Sequence, residues 1–140
     1  MERQKVTIEA VINASADKVW NYWTLPEHIT HWNFASDDWH CPRAENDVRA
    51  GGKMNVRMEA KDGSFGFDFE AIYDEVVALE KISYSLGDGR QVVTTFAPAD
   101  GGTLVKTVFD AEKENPVEMQ QAGWQSILNN FKAYVQETEL

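Results

Sequence analysis

The chain has 140 residues, 43% of them hydrophobic and 26% charged, an ordinary globular composition at the length of one domain, and is read as a single unit over 1–140. Its 23 acidic against 13 basic residues leave a net charge of −10, which opposes the phosphate contacts behind most nucleic-acid affinity, so nucleic acid is not an expected partner. No apolar run approaches the ~20 residues of a bilayer-crossing helix, and MERQKVTIEAV lacks a signal-peptide pattern, so the expectation is a cytoplasmic protein with no membrane partner.

Lys5 to Ile12 alternates Val6, Ile8, Ala10 and Ile12 with Thr7, Glu9 and Val11, the period of a half-buried strand. Ser15 is a natural helix cap, Asp17 suits the first-turn dipole, and Val19, Trp20 and Trp23 share one helical stripe. Pro26 stops that helix and opens a second short one to Trp32, with Ile29 and Trp32 turned inward. Asn33 to Arg49 is irregular, with a short strand expected at Ala44 to Arg49.

After Gly51-Gly52 the alternation returns, with Met54, Val56, Met58 and Ala60 on one face and Asn55, Arg57 and Glu59 on the other. Asp62-Gly63-Ser64 makes a turn. Phe65, Phe67, Phe69, Ala71 and Tyr73 form the inward row of the next strand, and Ile82, Tyr84 and Leu86 that of another. Val92 to Ala97 and Leu104 to Phe109 complete a meander with short connections.

The last segment reads as the principal helix. Asn115 is placed to cap it, Pro116 to begin it and Glu118 to reach back to the cap. Trp124, Ile127, Leu128, Phe131, Tyr134 and Val135 then recur at helical spacing, opposite Gln125, Asn129, Lys132 and Gln136. The fold class is therefore α+β: a curved antiparallel sheet of six or seven strands around a long C-terminal helix, with two short helices after the first strand.

Four stretches carry a family resemblance: ADKVWNYWTLPEHITHW, ENDVRAGGKMNVRME with its Asp-x-Arg-x-Gly-Gly core, DEVVALEKISYS and GWQSILNNF. Together they make essentially the whole chain resemble the Hsp-90 ATPase activator homologue-like branch of the START and Bet v-type (SRPBCC) superfamily. The resemblance implies the helix-grip fold, with a mostly apolar cavity between sheet and helix. It also implies a small hydrophobic ligand, aromatic, acyl or polyketide-like, and no bound cofactor; some similar proteins are cyclases, and the family's name brings in a chaperone partner.

Chemistry-bearing clusters are sparse. His28, His31, His40 and Cys41 are spaced too loosely for a zinc site, and solvated histidines are the plainer reading. Ser126 lies within the last helix, Cys41 beside His40 has no orienting group, and neither Gly51-Gly52 nor Gly87-Asp88-Gly89 has phosphate-loop spacing. The carboxylates Asp37-Asp38 and Glu45 to Asp47 read as solvated loops. No catalytic residue is assigned and no metal is expected.

The aromatic residues carry the sharper signal, because large rigid side chains line a hollow as readily as they fill a core. The candidate cavity set is Trp23, Trp32, Trp39, Met58, Phe67, Phe69, Tyr84, Trp124, Leu128 and Phe131. Tyr84 supplies a hydrogen-bonding tip, Arg57 belongs to the cavity only if Asn55 and Glu59 do, and Gly123 leaves room for close approach beside Trp124. Three functions follow: ligand binding, a cyclase or hydratase using the same cavity, or chaperone ATPase activation.

Overall fold

Alternation in the first strand decides which face of the sheet turns inward. In the computed structural model, which describes residues 4–137, β1 (Lys5–Ile12) buries Val6, Ile8 and Ile12 and turns Thr7, Glu9 and Val11 out. The Ser15 hydroxyl caps α1 (Ala16–Thr24) by accepting from the Lys18 N–H at 3.4 Å. Pro26 opens α2 (Pro26–Ile29), where its fixed φ and missing N–H suit a first helical turn. Trp32 follows in a turn, its buried indole N–H donating to the Tyr22 carbonyl at 3.0 Å.

The chain then makes β2 (Trp39–Asn46), β3 (Lys53–Ala60), β4 (Gly66–Val77), β5 (Lys81–Leu86), β6 (Gln91–Ala99) and β7 (Gly102–Asp110), and ends in α3 (Val117–Glu137). One antiparallel sheet results, in the order β1-β7-β6-β5-β4-β3-β2. This is the helix-grip architecture expected from the sequence, with seven strands.

Two local expectations are corrected. The strand expected at Ala44 to Arg49 begins instead at Trp39 and ends at Asn46. It is the sheet's outer strand, so Pro42 needs no partner on its free side, and a register shift between His40 and Arg43 absorbs it. The Asp-x-Arg-x-Gly-Gly residues close the loop that follows. The Asp47 carboxylate holds Arg49 Nε at 2.8 and 3.0 Å, Gly51 takes φ +84°, and a Cβ on Gly52 would lie 2.1 Å from the Asp47 carbonyl oxygen.

The cap expected for the last helix is also different. Asn115 does not cap α3; its amide donates to Glu112 at 3.2 Å. Gln120 folds back instead, donating to the Glu112 and Asn115 carbonyls at 3.1 and 2.8 Å and accepting from the Glu112 N–H at 2.8 Å. A glutamine amide offers both a donor and an acceptor, so one side chain ties the whole approach to the helix.

The inner stripe of α3 buries Leu128, Phe131 and Val135. Its polar flank is not simply solvated. Gln121 and Gln125 donate to the Thr7 and Glu9 carbonyls at 3.1 and 3.2 Å, and Gln136 accepts from the Asn13 N–H at 2.9 Å. These bonds cover the outer edge of β1, which an open sheet otherwise leaves ready to pair with another chain. They also fix α3 on the β1 side of the concavity. Phe131→Ala is expected to cost about 3–5 kcal/mol in urea unfolding, while Met119→Ala, at a residue 57% exposed, changes stability by less than about 0.5 kcal/mol; equal losses at the two positions contradict this assignment of the core.

Candidate functional site

Strand register determines what faces the concavity. Met54 lies opposite Ala71, Val56 opposite Phe69 and Met58 opposite Phe67. Tyr73 lies opposite Tyr84 and Tyr84 opposite Val92, so these side chains share the inner face. From β2 to β5 no Lys, Arg, His, Asp or Glu falls on that row. Arg57, left open by the sequence, belongs to the outer face, where it donates to Glu59 at 2.8 Å, pairs with Asp68 at 3.5 Å and holds the Glu59 carboxyl below its usual range. Its guanidinium lies across Gly66, where a Cβ would sit 2.6 Å from Nη2.

The ten candidate residues separate into three groups. Trp23, Trp32 and Phe131 pack with ring centroids 4.9–5.0 Å apart. With Leu128, which is 1% exposed, they fill the core that joins α1, the turn after α2, and α3.

A second group stands edge to face on the concave row. Phe69 stands 6.2 Å from Tyr84 and 6.4 Å from Trp124, nearly perpendicular to each. All three are half-buried. Trp124 is anchored on its other side by stacking on Phe109 at 4.0 Å. A Cβ on Gly123 would meet nothing within 4 Å, so the expected close approach does not occur and the space beside Trp124 is open. Among the described residues nothing hydrogen-bonds the Tyr84 hydroxyl. The only fully enclosed side-chain polar atom without a partner among them is Asn55 Oδ1, so the Tyr84 oxygen faces accessible space. Burial, with Tyr73 beside it, pushes the Tyr84 pKa well above the ordinary phenol range and keeps the hydroxyl a donor.

The third group forms a rim. Trp39, Phe65 and Phe67 touch one another at 5.9–6.2 Å, with Met58 opposite Phe67. Phe65 and Phe67 are 60% and 39% exposed, which corrects the expectation that both turn into the interior. Their alternation is right, but β5 ends at Leu86 opposite Ala71, so the β3–β4 hairpin runs on without a cover.

Several participants escaped the sequence reading. Tyr73 donates to Asn46 Oδ1, and Asn46 donates to the Thr24 carbonyl at 2.8 Å, joining the floor of the concavity to the end of α1. Tyr73 was visible as a polar-tipped member of the inward row; Asn46 gave no signal. His28 is not simply solvated: it stacks on Tyr22 at 3.9 Å, with Nδ1 2.8 Å from the Tyr134 hydroxyl, and His31 stacks on Tyr134 at 5.3 Å. Among the described residues no three His, Cys, Asp or Glu side chains gather to hold a metal. Burial pushes the Cys41 thiol up to about 11, which leaves little thiolate for chemistry. An open groove of about 810 Å³ lies between Asn13–Ala16, Leu79 and Pro98, and its lining includes none of Phe69, Tyr84 and Trp124.

The profile of the family described as Activator of Hsp90 ATPase homolog 1-like protein matches residues 13–136. The chain belongs to this family. An AHSA1-like protein from Aeromonas hydrophila is 45% identical, superposes with a TM-score of 0.90, and the match covers 95% of this chain and 92% of that one. A Cytophaga hutchinsonii protein is 44% identical with a TM-score of 0.82 and 97% coverage of both chains. A Nitrosomonas europaea protein, 16% identical over 96% of each chain, shares the fold at a TM-score of 0.84. No curated protein matches the sequence. No described helix of this AHSA1-like chain is long and apolar enough to cross a membrane.

Burial also pushes Tyr73 up to about 12 from an ordinary 10.0. An acid whose folded-state pKa is raised holds its proton more tightly when folded, so stability is full below about pH 10 and falls as pH rises towards 12. Phenolate absorbance of the native protein should show a late step that loses amplitude in Tyr73→Phe and in Tyr84→Phe. An unchanged late step in both variants contradicts the burial of these hydroxyls.

Proposed function

We propose that the protein binds a small, uncharged, hydrophobic ligand in the trough between the concave faces of β3–β5 and the α3 flank that carries Gly123 and Trp124. The observation that carries this reading is the Tyr84 hydroxyl, unpartnered among the described residues and reachable beside the half-buried Phe69 and Trp124. A core under no other demand pairs such a donor.

The chemistry of the walls narrows the ligand. Aromatic faces and Met58 favour a flat apolar body, and one neutral donor favours a carbonyl or similar acceptor. A fatty-acid carboxylate finds no cation on the concave row and leaves a charge unpaired in an apolar site. The same lack of ionisable groups weighs against a cyclase or hydratase, which needs an acid and a base within reach of the substrate. Chaperone ATPase activation is in the family's description, and no feature of the trough favours it.

Calorimetry and melting with three probes test the reading: 2-acetylnaphthalene, its carbonyl-free analogue 2-isopropenylnaphthalene, and laurate. The acetyl compound should bind about tenfold more tightly than its analogue, and Tyr84→Phe should remove that preference. At a hundred times its Kd it adds about 2.7 kcal/mol, on the order of 8 °C in Tm. Laurate binding more tightly than either naphthalene, or no binding by any probe, contradicts the proposal.

A further inference from the structure

We propose that the tip of the β3–β4 hairpin docks on a zwitterionic phospholipid surface, and that the trough exchanges its ligand there. The docking stands on the tip itself; the exchange rests on the ligand-binding reading above.

Three mutually touching rings, Trp39, Phe65 and Phe67, stand at the β3–β4 hairpin end of the sheet, with Phe65 and Phe67 exposed. The tip is firmly built. The Lys61 N–H donates to the Asp38 carbonyl at 2.8 Å, the Ala60 N–H to the Phe65 carbonyl at 2.9 Å, and the Ser64 N–H to Asp62 Oδ1 at 2.9 Å. These bonds hold the rings outward without help from the core.

Size argues against another protein as the occupant. With Phe65 60% and Phe67 39% exposed and Trp39 half-buried, the apolar area offered is on the order of 200–300 Å². A stable interface needs about 800 Å² from each partner. A small aromatic wedge with an indole at its border suits instead the boundary between lipid headgroups and acyl chains.

Charge selects the lipid. Around the rings Arg57 and Arg43 are already paired with Glu59 and Asp68, which leaves Asp38 and Asp62 beside Lys61, on a chain of net charge −10. That balance repels anionic headgroups and meets the outward ammonium of a zwitterionic one, which aromatic faces also attract. The sequence argued against a membrane from the lack of a bilayer-crossing run, which does not bear on surface docking by exposed rings. From the tip the aromatic row continues through Phe67 and Phe69 to Trp124, a path by which an apolar molecule can pass without entering water.

Co-sedimentation with phosphatidylcholine vesicles tests the docking. The full chain should bind reversibly with an association constant no larger than about 10⁴ M⁻¹, the scale of one acyl anchor, and Phe65→Ser with Phe67→Ser should lower it at least tenfold. Phe65→Ser alone, at the more exposed ring, should fold normally by thermal melt and still weaken binding. Adding phosphatidylglycerol should weaken binding further. Retention of 2-acetylnaphthalene by Phe65→Ser confirms that docking and ligand binding are separate; vesicle binding by a parent that takes no probe leaves the docking standing and removes the exchange. No sedimentation of the parent, equal sedimentation of the double variant, tighter binding to anionic vesicles, or a dimer of the parent that the double variant abolishes overturns the docking.

Discussion

The attachment of α3 to the edge strand β1 sets the shape of everything else. Gln121, Gln125 and Gln136 bond along that strand, and Trp124 stacks flat on Phe109 of the adjoining β7. The helix is thereby drawn to one side of the sheet. Leu128, Phe131 and Val135 close the core beneath it with Trp23 and Trp32, while the inner faces of β3, β4 and β5 are left partly uncovered. One set of side-chain to backbone bonds thus protects a sheet edge and leaves Phe69 and Tyr84 only half-buried, two consequences of a single placement.

Segregation of charge follows from the same alternation that builds the sheet. Arg43, Arg57, Glu59 and Asp68 pair on the outer face, where water shares their cost and each pair is worth little. The inner face keeps only uncharged polar groups: phenols, threonine hydroxyls, a buried thiol, an indole N–H and amides. Tyr73 is committed to Asn46, Thr94 and Thr107 to each other at 2.8 Å, and Trp32 to the Tyr22 carbonyl. Tyr84 is the exception within this satisfied interior, and unsatisfied polar groups are where function is to be sought.

Much of the fold was legible because strand and helix periods depend on local sequence. Val6, Ile8 and Ile12 alternate without ambiguity, and Leu128, Phe131 and Val135 keep helical spacing, so sheet, helix and chain order were readable. The misplaced pieces depend on what lies next door. Whether Phe65 and Phe67 are covered is decided by where β5 ends, Pro42 is tolerated because β2 is an edge, and Gln120 rather than Asn115 ties the approach to α3 because Glu112 is within its reach. The site was legible only as a list of aromatics. Alternation placed Trp23 and Phe69 alike on inward faces, and it carries nothing about the open space beside Gly123 or the Tyr84 hydroxyl.

Mapping amide and indole N–H resonances during addition of 2-acetylnaphthalene tests most directly where that opening lies. Asymmetric seating of α3 predicts that Phe69, Tyr84, Gly123 and the Trp124 indole shift together while Trp23, Trp32 and Phe131 stay in place. Shifts concentrated in Trp23, Trp32 and Phe131, or in the groove at Asn13 and Leu79, would contradict it.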